Sequence, residues 1–329
     1  MVDASRNYVG AGVFWTYILA ALVLTGIIIR TLCQLHVASK TTQNRSLQPT
    51  WLFATLALAS FGTLSYNMLQ VLIQSFNLWS SGQHPAQLSG YPQAIWQWSI
   101  TSDLFLDFGE AIVANTARFL WVQSALLATL SIAFYMGIEG RKHSIPRLWA
   151  FFALSQILPI SFAQNLFYLA ILLSDNAPQP KRVPKFWSVA NVAAYCSCLA
   201  NAQLAAGKKW LIPLILAARL VLFAPLFLAT GEEGTSPAEK KNAEAWMTGE
   251  AVQRIVTLVS LLMTGLKVAQ AGQEGLSVGK VFSALFSHPA VASLGCDFLL
   301  SVVSFVAWVN VRPREPEKDA AAQKAVKRQ

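Results

Sequence analysis

Three carboxylates and one guanidinium share a short apolar stretch, TSDLFLDFGEAIVANTARFLW, at residues 101–121. Asp103, Asp107, Glu110 and Arg118 follow one another at spacings of 4, 3 and 8 residues. On a single α-helix those spacings put all four within about one third of the circumference. Asp107 and Glu110, one turn apart, would repel each other in a dry site, and the repulsion raises one of the two pKa values. A protonated acid beside a carboxylate at neutral pH is the equipment of a general acid. Plainer roles are open for each group. Asp103 in "TSD" reads as a helix N-cap, and Arg118, three turns on from Asp107, anchors another helix or pairs with Asp297.

Ionisable groups inside apolar segments cost a few kcal/mol each at a bilayer centre and so face a cavity or a partner. Besides the acidic stretch, the chain has Arg219, Glu250, Arg254 and Asp297 in such positions. Glu250 and Arg254, at i and i+4, pair with each other. Asp297, in "LGCDFLLSVVS", is a second candidate acid, and Gly295 beside it leaves room for another helix or a substrate. Pro159 interrupts WAFFALSQILPISFAQNLFYLAILL at 149–173, and proline bends a helix and frees a carbonyl. Gln156, Gln164 and Asn165 flank that bend, so a kinked, amide-bearing helix beside an acidic one predicts a polar pocket with apolar walls. Phe108, Trp121, Phe152, Phe162 and Phe167 are available as aromatic walls or as plain packing. Lys267 closes its apolar segment and reads as a residue snorkelling to headgroups.

The elements that carry these groups follow from composition. Of 329 residues, 54% are hydrophobic and 12% charged, against about 25% charged in an ordinary soluble protein. The reading is an all-α, multi-pass integral membrane protein with one helical bundle over 1–311 and a charged, disordered tail over 312–329. Segments of about 20 apolar residues span a bilayer, and seven qualify at 11–34, 51–76, 103–136, 147–174, 209–230, 245–270 and 289–311. An eighth, 186–206, is long enough but more polar. Eight spans with the N-terminus outside leave the basic tail outside, against the positive-inside rule. Seven spans bring the tail inside and require 186–206 to lie within or along the membrane. Length favours eight spans, which is the reading, and charge favours seven, which is the alternative. The uncharged, Trp-rich connection 77–101 reads as an interfacial cap over the bundle, and the first apolar segment as a retained anchor.

Other classes fit poorly. The net charge of +9 comes from short clusters beside apolar segments, which is orientation signalling and not a nucleic-acid surface. Neither a D-D-x-x-D motif nor a P-loop, G-x-S-x-G, H-E-x-x-H or cysteine–histidine ligand spacing occurs in a suitable context. No metal or other cofactor is expected, and the four cysteines read as free thiols.

With its size, its layout of apolar segments over about 11–311, FFALSQILPISFAQNLFYLAILLS at 151–174 and the acidic stretch 103–118, the chain resembles fungal membrane-bound terpene cyclases. The likeness is to the larger type, found in ascochlorin-, ascofuranone- and indole-diterpene-like pathways. It implies metal-free cyclisation of a lipophilic, epoxidised prenyl (meroterpenoid) chain, started by an acid in the bundle. It also implies an endoplasmic reticulum membrane, and an upstream prenyltransferase and epoxidase as partners. Under that expectation the catalytic acids are Glu110, Asp107 and Asp297, and the substrate is held by Asp103, Arg118, Trp121, Gln156, Gln164, Asn165 and Phe108. A proton-coupled small-molecule transporter also needs acids in its spans but commonly shows repeated halves, and no repeat of useful length is found. A receptor or scaffold would need no acid cluster.

Overall fold

The computed structural model describes residues 8–40, 48–81, 90–174, 181–228, 231–232 and 245–312. The remainder of the cap connection, the loop at 233–244 and the tail from 313 lie outside the described residues. The architecture is all-α, and among the described residues six helices are long and apolar enough to cross a membrane. In chain order the helices are α1 (Tyr8–Lys40), α2 (Gln48–Ser81), α3 (Tyr91–Thr101), α4 (Leu104–Val113), α5 (Thr116–Lys142), α6 (Leu148–Ile157) and α7 (Ile160–Leu173). After them come α8 (Lys185–Ala202), α9 (Leu211–Val221), the single turn α10 (Pro225–Leu228), α11 (Gly249–Gln273), α12 (Val278–Leu285) and α13 (Pro289–Val311). Three short antiparallel strands, β1 (Lys181–Pro184), β2 (Gly231–Glu232) and β3 (Trp246–Thr248), form a small sheet in the order β2-β1-β3.

Large apolar side chains stand exposed along the long helices, Leu22 on α1, Leu58 on α2 and Leu261 on α11 among them. Hydrocarbon outside the bundle makes that arrangement costless, since lipid tails are as apolar as leucine. The centre is close-packed, with Phe53, Phe134, Phe151, Phe152, Phe167, Tyr168 and Tyr195 fully buried. Every residue of α7 from Ile160 to Ile171 is buried. A helix that is covered all round lies inside the bundle and does not face lipid.

Contacts between helices set their directions and define two ends. At the α4 end, Phe14 of α1 meets Trp98 of α3 with ring centroids 5.7 Å apart, and Trp79 of α2 donates to Thr101 of α3 at 2.7 Å. The described part of the cap connection is therefore the end of α2 and the short helix α3. Thr116 at the start of α5 donates to Glu274, just past α11, at 2.7 Å. At the sheet end, Gly249 opens α11 against Ile138 of α5, and β1 lies between β2 and β3.

Besides 209–230, which divides into α9 and α10, two apolar segments are not the single helices that the sequence suggests. The acidic stretch breaks at Ala114 and Asn115, where Asn115 is extended (φ −155°, ψ 166°) and its side chain accepts from the Arg118 amide at 2.9 Å. That N-cap starts α5 afresh, so Arg118 does not share a helix with the three acids. The second break is at Leu158–Pro159. Proline disfavours the α conformation in the residue before it, and Leu158 is accordingly extended. The chain does not merely bend there. From the break, α7 runs alongside α13 in the same direction: Ser161 meets Asp297, Gln164 meets Ser301, Asn165 meets Ser304 and Tyr168 stacks on Trp308. α6 lies antiparallel to α1, with Arg147, its N-cap, on Thr31 and Gln34 and Tyr17 at its far end. Ser174 after α7 donates to the His143 carbonyl before α6 at 3.3 Å. α6 and α7 are thus a helical hairpin whose two ends lie together at the sheet end.

Candidate functional site

The hairpin tip is where backbone polar groups are left without helical partners, four N–H groups and four C=O groups at most. Side chains from three other helices take them up. Asp297 of α13, 7% exposed, accepts from the amides of Ile160 and Ser161, each at 2.9 Å, and from the Ser161 hydroxyl at 2.5 Å. A carboxylate at the start of a helix also suits the positive end of its dipole. On the other arm, Arg219 of α9 donates to the Gln156 carbonyl, and Tyr17 of α1 donates to the Ile157 carbonyl at 2.6 Å. The tip is clasped by an anion where N–H groups are free and by donors where carbonyls are free.

This arrangement changes the expected roles of several residues. Arg118 does not pair with Asp297; its guanidinium donates to Ser287, ahead of α13, at 2.9 Å, so it anchors a neighbouring helix end. Gly295 leaves no room for substrate, because a methyl group there would meet Leu285 of α12. Gln164 and Asn165 join two helices. Both are fully buried in the α7–α13 seam, on Ser301 and Ser304. The Asn165 carbonyl oxygen is buried there without a hydrogen-bond partner. Gln156 is buried and donates to Ser155 at 3.2 Å. Trp121 donates to the Val281 carbonyl at 2.8 Å and packs edge-on to Phe282, which fixes α12 against α5. Phe108 packs against the smaller apolar cluster under α4.

Asp103 and Asp107 are exposed, away from the buried residues of α4, Gly109, Ile112 and Val113, whereas Glu110 is half-buried. Asp103 occupies the N-cap position but makes no capping bond through its side chain. Asp107 is exposed, so it forms no dry pair with Glu110. Its carboxyl is nevertheless raised above the usual range, by partial desolvation first and by the neighbouring Asp103 charge second. Glu110 accepts from the Gly207 amide at 2.8 Å. Gly207 sits at φ +69°, a left-handed conformation that suits glycine, and so Glu110 fixes the turn that leads into α9.

A polar network at this same end was invisible as sequence spacing. Lys267 of α11 donates to Gln203 at 2.6 Å and Gln270 at 2.9 Å, and its ammonium lies 5.1 Å from the Phe119 ring centroid. It therefore turns inward and does not snorkel. Gln270 and Thr116 converge on Glu274 at 3.0 and 2.7 Å. Glu250 and Arg254, by contrast, form the expected i,i+4 pair, exposed and 3.7 Å apart.

Also toward the α4 end, a cleft of about 620 Å³ separates α2 from the corner between α12 and α13. Asn67, Gln70, Gln74 and Asn77 line its α2 wall, with Phe286, Pro289 and Ala292 opposite. α4 packs against both α2 and α13, the helices that form the walls. Among the described residues no group of three or more His, Cys, Asp or Glu is placed to hold a metal ion. Compared with protein-family models, with curated proteins and with solved structures, the chain matches none.

Proposed function

We propose that this protein is a membrane enzyme that closes rings on a lipophilic, epoxidised prenyl chain by acid initiation, with Asp107 as proton donor. One observation carries the reading: an accessible carboxyl with a raised pKa stands on a short helix that packs against both α2 and α13, the walls of a lateral cleft. A greasy substrate partitions into the bilayer and enters such a cleft sideways. A carboxyl with its pKa moved toward neutrality is the acid that epoxide opening needs. Glu110 positions the α8–α9 turn beside Asp107, and Asp297 serves as the clasp of the hairpin. The substrate's chemistry requires a prenyltransferase and an epoxidase upstream.

The same reading takes the chain across the membrane seven times, through α1, α2, α5, α8, α9–α10, α11 and α13. The α6–α7 hairpin enters and leaves on one side. Arg141, Lys142, Arg147, Lys181, Arg182, Lys185 and Arg312 then share the sheet end, which the positive-inside rule assigns to the cytosol. The α4 end, with Asp103, Asp107, Glu110 and Glu274, faces the lumen of the endoplasmic reticulum. The conflict between length and charge disappears, because the segment that fails to cross is 147–174 and not 186–206.

Membranes containing the full chain, given an epoxidised prenyl phenol in the presence of a chelator, are expected to yield ring-closed product by mass spectrometry. Asp107→Asn should lower turnover by about a hundredfold, the low end of a general-acid contribution. Undiminished product from that variant removes Asp107 from the mechanism. A second reading is favoured by the hairpin itself: interrupted helices at bundle depth are a construction of transporters. Uptake of a solute into proteoliposomes, with no product formed from the epoxide, would put transport first.

A further inference from the structure

We infer that the cleft between α2 and the α12–α13 corner is a binding site for an uncharged amphiphile carrying two or more hydroxyl, ether or carbonyl oxygens. The α2 wall presents Asn67, Gln70, Gln74 and Asn77, at spacings of 3, 4 and 3 residues, which is one helix face. At about 1.5 Å per residue the ladder runs about 15 Å along the helix, from just below Trp79 inward. α2 is otherwise a 33-residue apolar candidate span. Asn67 commits its amide nitrogen to the Thr63 carbonyl at 2.9 Å. Gln70, Gln74 and Asn77 are exposed, and among the described residues their side chains make no hydrogen bond. Amides facing hydrocarbon alone are costly, since nothing in lipid can take their donors or acceptors. Their partners therefore come from whatever fills the cleft, and its volume of about 620 Å³ is in the range that holds one small molecule.

The lining also states what that molecule lacks. Among the described residues no Lys, Arg, Asp or Glu lines the cleft, so no side chain of its lining pairs with a phosphate, diphosphate or ammonium group taken out of water. Amides donate and accept equally, which suits hydroxyl, ether and carbonyl oxygens spaced along a chain. Phe286, Pro289 and Ala292 cover the chain's apolar side. The inference concerns binding alone and stands whether or not the protein turns its ligand over.

The test uses the purified full chain in nanodiscs and tritiated 10,11-epoxyfarnesol, an uncharged prenyl chain with an oxygen at each end. Saturable binding is expected, weakened at least tenfold in the Gln70→Leu/Gln74→Leu double variant. Excess farnesyl diphosphate should displace little of it. Competition by monoolein decides the source of the natural ligand, a resident bilayer glyceride or an oxygenated prenyl chain, and both answers support an uncharged amphiphile. The inference is overturned by absent saturable binding, by equal competition from the diphosphate, or by unchanged binding in the double variant. It is also overturned if Gln74→Cys cross-links quantitatively to itself in membranes, which would assign the cleft to a second copy of the chain.

Discussion

Asp297 is the one carboxylate in the described bundle that is buried and surrounded by donors, and its partners decide its role. Two amides and a hydroxyl converge on it, and hydrogen bonds to a charged group contribute about 1.5–3 kcal/mol each. Asp297→Ala should therefore cost about 3 kcal/mol or more of stability, read as lost monodisperse protein in detergent. Asp297→Asn, which keeps one acceptor oxygen, should cost less. Because Arg118 rests on Ser287, Arg118→Met should not rescue Asp297→Ala; a full rescue would show that the two charges are a pair after all. The sequence singled out both residues by cost alone, as charges in apolar segments. It could not pair them, because partners more than a hundred residues apart leave no trace in local spacing. Glu274 and Gln270 escaped notice for a related reason. They end a helix, where polar residues are ordinary, and only the meeting with Thr116 makes them part of a network.

Elements were legible where apolar periodicity is uninterrupted and less so where a cap or a proline intervenes. α1, α2, α11 and α13 fall where runs of about 20 apolar residues put them. Asn115 sits inside an apolar run, but Asn is a strong N-cap, and the cap splits α4 from α5. Pro159 announced a break but not its angle, which is set by what receives the freed backbone groups. Close approach between elements has a similar dependence on glycine. At Gly137 of α5, a methyl group would stand 2.5 Å from the Pro225 carbonyl oxygen at the start of α10. Gly137→Ala must move backbone, and about 1–3 kcal/mol of destabilisation is expected from such overpacking. A thermal unfolding midpoint equal to that of the unchanged protein would show that α10 yields freely.

For the whole molecule, the decisive question is whether α6 and α7 cross together or return. With the native cysteines removed, Ser144→Cys and Lys185→Cys should react with an impermeant maleimide from the same side of sealed vesicles. Lys208→Cys should react from the other side. Reaction of the first two from opposite sides would restore a crossing at 147–174 and with it eight spans. Sequence alone determined that the chain belongs in a membrane, that it is helical, and which few residues are too polar for their surroundings. Those conclusions need only local composition and helix geometry, because a bilayer demands apolar length and internally satisfied backbone wherever it is crossed. Only the tertiary structure decided that the proline break is the tip of a hairpin, that Asp297, Arg219 and Tyr17 close on it, and that Asp107 looks outward while Glu110 holds the turn into α9. Each of those depends on which distant side chain reaches an unsatisfied group first, and that competition is settled by packing.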